Sequence, residues 1–256
     1  MNEFAVISDI HANLAALVAV LADIRRQHIL RIICLGDVFG YGPDPRECLT
    51  LVRRNCAVCL RGNHDLAVLM EPFGFNPRAH EAVLWTRKRI RARWFSSSEV
   101  RSNWALLKSA PERYEEDGML FVHGSPRDPV NEYVDEYDTE DIGFGPGYKI
   151  IEVMNSFENI CFAGHTHQPG VITADYKFYY PEEFNHEGVI DGRRIFVNAG
   201  SVGQPRDTDP RAKYLIVRGG RILFRQVPYD IKETADKIRE IPELHASLAD
   251  RLFKGV

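Results

Sequence analysis

A chain of 256 residues with 45% hydrophobic, 27% charged and 11% aromatic side chains carries enough apolar material for a large core, which excludes intrinsic disorder. Its net charge of -4 argues against an affinity built on neutralising nucleic-acid phosphates, so a stable nucleic-acid partner is not expected. The most apolar stretch, Leu14 to Ala22, is too short to span a bilayer, and Met1-Asn2-Glu3-Phe4 lacks the basic and apolar regions of a secretory signal, so a cytoplasmic location is expected.

In chain order, Phe4-Ala5-Val6-Ile7 reads as a buried strand that closes at Asp9-Ile10-His11. If the chain stays extended there, Asp9 and His11 face the same way. Leu14, Leu17, Val18, Leu21 and Ile24 then have helical spacing behind an Asn13 cap. Arg31 to Leu35 is a second strand, closed by Gly36-Asp37, and Asp44-Pro45 opens the next helix. Cys56 to Leu60 is a third strand, followed by Gly62-Asn63-His64-Asp65. In a strand Cys56 and Cys59 would point to opposite faces, and five cysteines are an odd number, so core thiols are expected.

Residues 77–110, within an insertion spanning about 75–112, read as helical, with buried tryptophans (Trp85, Trp94, Trp104) and a solvated arginine-rich face. Met119 to Val122 is a fourth strand ending at His123-Gly124, and Ile160-Cys161-Phe162 leads into Gly164-His165-Thr166-His167. Beyond residue 170 the pattern turns to β, with Asp191-Gly192 and Gly219-Gly220 as hairpin signals. A helical tail over about 231–254 is interrupted at Pro242. No linker or repeat divides the chain, so residues 1–256 are expected to form a single domain.

Strand, turn, helix, strand implies a βαβ sheet, in which reactive groups collect beyond the carboxyl ends of the strands. Five such ends here present His, Asp or Asn. Any one of them alone reads as a cap or turn, whereas five together, each after a hydrophobic strand, are hard to explain by chance.

In these five ordered blocks, over roughly Phe4 to Val227, the chain resembles the calcineurin-like metallophosphoesterase superfamily. The resemblance implies an α/β fold, a four-layer αββα sandwich of two mixed sheets. It further implies two divalent cations, the first held by Asp9, His11, Asp37 and His167, the second by Asp37, Asn63, His123 and His165. Asp37 would bridge them, and a metal-bridging hydroxide would attack the phosphate ester. His64 matches the family's non-ligand histidine beside the leaving group, with Asp65 to orient it. A donor set of carboxylate, imidazole and amide without thiolate suits Mn²⁺, Fe²⁺ or Zn²⁺. Gly36, Gly62 and Gly164 suit tight turns close to the ions. Every ligand position is filled, which argues against a catalytically silent scaffold on the same fold.

The resemblance narrows after Gly36-Asp37. Protein Ser/Thr phosphatases of the superfamily continue Asp-Arg-Gly, whereas this chain continues Val38-Phe39-Gly40, and the third block ends in Asp65 where those enzymes have Glu. A small phosphate ester is therefore the expected substrate. Tyr41-Gly42-Pro43-Asp44-Pro45 and Gly200 to Asp207 look like a small prokaryotic phosphoesterase subgroup with diadenosine tetraphosphatase-like members. Arg206 is the candidate phosphate clamp, and Asp207 and Asp209 beside it would weaken its help to a monoester dianion. A phosphodiester preference is thus expected, with phosphomonoesterase or dinucleotide polyphosphate hydrolase activity as alternatives.

Overall fold

The computed structural model describes residues 3–140, 143 and 145–256. Its strands are β1 (Phe4–Ile7), β2 (Ile32–Cys34), β3 (Val58–Cys59), β4 (Arg113–Glu116), β5 (Met119–Val122), β6 (Ile160–Ala163), β7 (Gly170–Ile172), β8 (Phe178–Tyr179), β9 (Glu187–Val189), β10 (Ile195–Asn198), β11 (Ala212–Arg218) and β12 (Arg221–Val227). The α-helices are α1 (Leu14–Arg26), α2 (Pro45–Asn55), α3 (Asn63–Leu69), α4 (Pro77–Ile90), α5 (Ser98–Ser109), α6 (Tyr148–Asn155), α7 (Ile231–Arg239) and α8 (Ser247–Asp250). Among the described residues no helix is long and apolar enough to cross a membrane.

Two six-stranded sheets result, in the orders β3-β2-β1-β11-β12-β9 and β4-β5-β6-β10-β7-β8. Both are mixed: β1 runs parallel to β2 and antiparallel to β11, and β10 runs parallel to β6 and antiparallel to β7. The period-two alternation of strand side chains assigns each residue to a layer. Phe4 and Val6 face inward with Phe121, Phe162 and Val197 between the sheets. Ala5 and Ile7 face outward onto Leu17, Val20 and Leu49 of α1 and α2. On the far side Leu120, Val122 and Phe196 meet Ile150, Val153 and Met154 of α6. The layers are therefore α, β, β, α. Phe121 and Phe162 stack at 5.1 Å, and burying each such ring contributes about 1.5–3 kcal/mol.

Helix starts follow local chemistry. The Asn13 side chain accepts the Ala16 amide at 3.2 Å, and Pro45 occupies the first turn of α2, where an amide hydrogen has no helical partner.

Several expectations are corrected. The third strand is only Val58–Cys59, because Cys56 caps α2; Cys56 and Cys59 then pack on the same core cluster, with Cys59 in register with Cys34. All five cysteines are free, consistent with the reduced-thiol reading. Asp191-Gly192 is no hairpin, since β9 pairs with β12 in one sheet and β10 with β6 in the other. The Gly219-Gly220 turn does join a hairpin, with both glycines at positive φ as such a turn requires. An unremarked Asp117-Gly118 turn joins β4 to β5, again with both φ values positive.

The insertion is two helices, α4 and α5, broken at residues 91–97. Trp85 is buried but Trp94, in the break, is 90% exposed, which corrects the expectation of a buried Trp94. Ala82 and Trp85 of α4 pack against Ala235, Ile238, Leu248 and Leu252, so insertion and tail form one cap.

Candidate metal centre

The five strand ends meet at one edge of the sandwich. Asp9, His11, Asp37, His64, His123, His165 and His167 are all buried, and Asn63 is half-buried at the start of α3. Asp9 and His11 do not converge through an extended chain, as the sequence pattern suggested. β1 ends at Ile7, and both residues are left-handed, with φ of 53° and 48°. Asp37, His165 and His167 share that conformation, at 51°, 69° and 64°. Such backbone is costly outside glycine and clusters at functional sites. Close approach is also built in: a Cβ at Gly62 would collide with the Asp37 carboxylate, and one at Gly164 with Ser8 and Asp9.

The carboxylates are held by backbone amides on one oxygen and left open on the other. His64 N–H donates to Asp37 Oδ1 at 2.9 Å, and His165 N–H donates to Asp9 Oδ2 at 3.0 Å. The second oxygens face imidazoles. Asp37 Oδ2 lies 3.7 Å from His11 Nε2 and 3.5 Å from His123 Nε2, between two clusters, while Asp9 Oδ1 lies 3.3 Å from His167 Nε2. Asp9 Oδ1 is buried with no hydrogen-bond partner among the described residues.

Hydrogen bonds at the far ring edges fix how the imidazoles present themselves. His11 Nδ1 donates to the Phe39 carbonyl at 2.8 Å and His167 Nδ1 to the Gln204 carbonyl at 2.6 Å, so both Nε2 atoms carry lone pairs. Those two atoms face each other at 3.0 Å. His165 Nε2 donates to the Asn131 carbonyl at 3.1 Å, which leaves its Nδ1 as a lone pair 3.1 Å from His123 Nε2. Lone pairs aimed at one another beside a bare carboxylate oxygen repel unless a cation lies among them. The residues therefore fit divalent ions: Asp9, His11 and His167 form one candidate ligand cluster, and Asp37, His123 and His165 another. Asn63 Oδ1 adds an amide oxygen 3.2 Å from His123 Nε2.

Electrostatics agree with that fit. Burial, helped by neighbouring positive charge, pushes His165 down to about 3 and His167 down to about 4, so both rings are neutral and able to ligate at neutral pH. Burial and the like charges of Asp65 and Asp9 push Asp37 well above the usual carboxylate range. Burial raises Asp65 to about 7.

His64 contacts His11, Tyr41 and Phe75, with ring centroids 4.9, 4.8 and 4.8 Å away, and its Nδ1 is buried without a partner. A ring nitrogen of His64 also lies within 4.8 Å of donor atoms of His11 and Asp37. Asp65 does not hydrogen-bond His64. Its oxygens accept from the Phe39 amide at 3.2 Å and the Gly62 amide at 3.1 Å, so it fixes the two loops that carry Asp37 and Asn63 instead of orienting the ring.

Arg206 is half-buried beside the cluster, its amide donating to the His167 carbonyl at 3.3 Å and its Nη2 to Gln204 Oε1 at 3.1 Å, and its positive charge helps hold His11, His64 and His167 below their ordinary pKa. It is not neutralised by its acidic neighbours. Asp207 pairs with the fully buried Lys213 at 2.9 Å, and Asp209 pairs with Arg211 and Lys213. The premise behind a diester preference, an Arg206 weakened by these acids, is thereby removed.

Sequence reasoning passed over Lys213, read as an ordinary strand residue, and Tyr133, whose ring stacks on His165 at 3.8 Å. It also passed over the carbonyls of Phe39, Asn131 and Gln204, which any residue type could supply. Asn198 and Ser201 lie beneath the site: Asn198 Nδ2 donates to the Gly164 carbonyl at 2.7 Å, and Ser201 Oγ to the Asp9 carbonyl at 2.8 Å.

Comparison with known proteins gives consistent results. The Calcineurin-like phosphoesterase superfamily domain matches residues 3–219. An uncharacterized protein of Methanocaldococcus jannaschii is 37% identical over 268 residues, covering 98% of this chain and 97% of that one. The crystal structure of a metallophosphoesterase from Sphaerobacter thermophilus superposes with a TM-score of 0.81 at 36% identity, over 100% of this chain and 99% of that one. A hypothetical protein from Pyrococcus horikoshii OT3 shares the fold, with a TM-score of 0.73 at 19% identity and the same coverage.

Proposed function

The chain belongs to the calcineurin-like phosphoesterase superfamily, and from that premise we propose that it hydrolyses small phosphate esters with two divalent cations at the strand-end crevice. The observation that carries this reading is the pair of facing imidazole lone pairs of His11 and His167 beside Asp9 Oδ1, an oxygen buried without a hydrogen-bond partner among the described residues. Asp9, His11, Asp37 and His167 would hold one ion, and Asp37, Asn63, His123 and His165 the other. When bound, such ions supply Lewis acidity to the phosphoryl oxygens and acidify water. Mn²⁺, Fe²⁺ and Zn²⁺ all suit the donor set.

The remaining work falls to this chain's own groups. Arg206 binds the non-bridging phosphate oxygens through its guanidinium fork. His64 supplies the proton to the departing ester oxygen. In the free site burial and the charges of His167 and Arg206 hold His64 well below its ordinary pKa. A phosphoryl dianion beside Arg206 offsets part of that charge and moves the ring back toward its ordinary value. Asp65 positions the loops and touches no substrate.

Because Asp207 and Asp209 pair with Lys213 and Arg211 and not with Arg206, a monoester dianion is favoured over a diester monoanion. The test is elemental analysis of the purified, metal-reconstituted protein alongside parallel turnover of mono- and bis-nitrophenyl phosphate. We expect two metal equivalents, and loss of at least one with nearly all turnover in Asp37→Asn. A single equivalent at saturation overturns the dinuclear reading; a higher kcat/KM for the diester overturns only the monoester preference.

A further inference from the structure

Tyr41 forms one wall of the metal centre, with its ring 4.7 Å from that of His11 and 4.8 Å from that of His64. The same ring also carries a cation from the tail: the Arg251 guanidinium carbon lies 6.0 Å from its centroid. Next to Tyr41 opens a cavity of about 760 Å³, bounded also by Arg78 at the start of α4 and by Arg251 and Lys254 in the tail. Two segments more than 170 residues apart in the chain, joined by the apolar contacts of Trp85 and Ala82 with Leu248 and Leu252, thus bring three cations to one basin beside the catalytic ligands.

Among the described residues the basin's cations outnumber the anionic groups that meet them. Asp250 borders the cavity, but its carboxylate is held by Arg239 at 2.7 Å. Arg78 and Lys254 are exposed and form no ion pair among the described residues. Arg251 donates through Nε to an oxygen of Val256, which also borders the cavity, so Arg78 and Lys254 are the two cations without such a partner, and the other guanidinium donors of Arg251 face the opening with them. Burial, followed by the like charges of Arg206 and Arg78, pushes the Arg251 pKa down, so the cations sense one another across the opening. Like charges gathered without a counter-charge destabilise a fold, and an anion that spans them relieves the repulsion. Guanidinium forks match the paired oxygens of a phosphoryl group, and an ammonium adds a point charge.

We propose that this cavity is a second anion subsite, continuous with the metal centre past Tyr41, that takes a further phosphoryl group of the substrate. The proposal rests on the phosphoesterase reading and deepens it: the substrate is an ester that carries one phosphate for the Asp37 and Arg206 side and another for the Arg78, Arg251 and Lys254 side. The second phosphate can stand across a sugar or further along an oligophosphate chain.

Calorimetric titration of the Mn²⁺-loaded protein, with free Mn²⁺ held constant, compares AMP with adenosine 3′,5′-bisphosphate and with ADP. A second phosphate is expected to tighten binding at least about tenfold over AMP. A gain for the bisphosphate marks sugar spacing, and a gain for ADP marks an anhydride chain. The gain should vanish in Arg78→Gln/Lys254→Gln, and separately in Arg251→Gln, while AMP affinity stays within about twofold. Two surface substitutions without ion pairs keep the test meaningful if Arg251→Gln fails to fold. A second phosphate that adds nothing in either arm, or a gain that survives the substitutions, overturns the subsite. Turnover of nitrophenyl phosphate, followed in parallel, reports on the phosphoesterase reading alone: a substitution-sensitive binding gain without turnover keeps the subsite and sinks that reading.

Discussion

The strand-end crevice and the insertion–tail cap lie on either side of Tyr41 and are specified in different ways. In the crevice every metal-capable side chain follows directly on a short apolar strand, so spacing along the chain announces it. In the cap nothing local announces that Ala82 and Trp85 will meet Ile238, Leu248 and Leu252. Amphipathic periodicity shows that a helix has a buried face but does not name the partner of that face. Chemistry is thus encoded in short blocks, while the cover over it is encoded in packing between distant segments. One consequence is that substitutions in the crevice should change turnover without unfolding the protein, and substitutions in the cap should do the reverse.

The sharpest break between the regions is His64, which sits where they touch, against Tyr41 and Phe75 on one side and His11 on the other. His64→Ala should leave metal content nearly intact and lower turnover by about 10²–10⁴, the usual scale for a general acid. The loss should be large for an alkyl phosphate and small for a nitrophenyl ester, whose oxyanion departs unaided. Equal slowing of both esters would show that the ring positions phosphate without donating a proton, and loss of metal would make it a ligand.

The same contrast explains what was legible in the sequence. The βαβ first half, the β-rich second half and the five polar strand ends were readable from apolar runs and the residues that end them, while the αββα layering came with the family resemblance that those blocks carry. The way Asp9 and His11 converge was not, since a left-handed backbone at non-glycine positions leaves no compositional trace. The split of β9 and β10 between sheets hides behind an Asp191-Gly192 pair that looks like any hairpin turn. Lys213 is alike invisible: within a strand it reads as solvent-facing, and only the tertiary position of Asp207 and Asp209 makes it a buried counter-charge. Those contacts take up Asp207 and Asp209, so a lysine in the strand that follows keeps both acids from pairing with Arg206.

Acid should weaken the crevice before it weakens the cap. His165 and His167 are depressed in the fold to about 3 and about 4 from an ordinary 6.5, and His11, His64 and His123 are also lowered, each chiefly by burial. For a depressed group the unfolded chain binds the proton first, so the stability it protects is present above pH 6.5 and lost as pH falls toward 4 and 3. Asp65, raised from 3.8 to about 7, works the other way: its contribution is full below 3.8 and lost as pH rises to about 7, and Asp37 shares that direction. Five imidazoles outnumber two carboxyls. The metal-stripped protein should therefore show a falling Tm from pH 6.5 to 4, and added Mn²⁺ should raise Tm at pH 7.5 far more than at pH 5, because protons and cations compete for the same nitrogens. A flat Tm across that window in the stripped protein would mean the rings are not buried as neutral groups.

The cap offers the smallest expected effect on chemistry and a comparison within one insertion. Trp85 is 4% exposed and packed among Ala82, Ile238 and Leu248, whereas Trp94, only nine residues later, is 90% exposed and among the described aromatic rings touches Phe95 alone. Trp85→Ala should cost about 3–5 kcal/mol, since the cavity it leaves is lined by side chains from both insertion and tail. The Trp85 indole N–H is buried with no acceptor, so Trp85→Phe removes an unsatisfied donor along with some volume and should be far milder than the alanine change. Trp94→Ala should stay within about 0.5 kcal/mol of the unmodified protein, the range for a surface substitution. Denaturant titration measures all three. In each variant that remains folded, turnover of a single-phosphate ester should be unchanged within about threefold, because among the described residues neither the Trp85 nor the Trp94 ring contacts an imidazole of the site. If Trp94→Ala instead matched Trp85→Ala in cost, the break at residues 91–97 would be packed against another element, and the division of the insertion into a buried helix and an exposed corner would not hold.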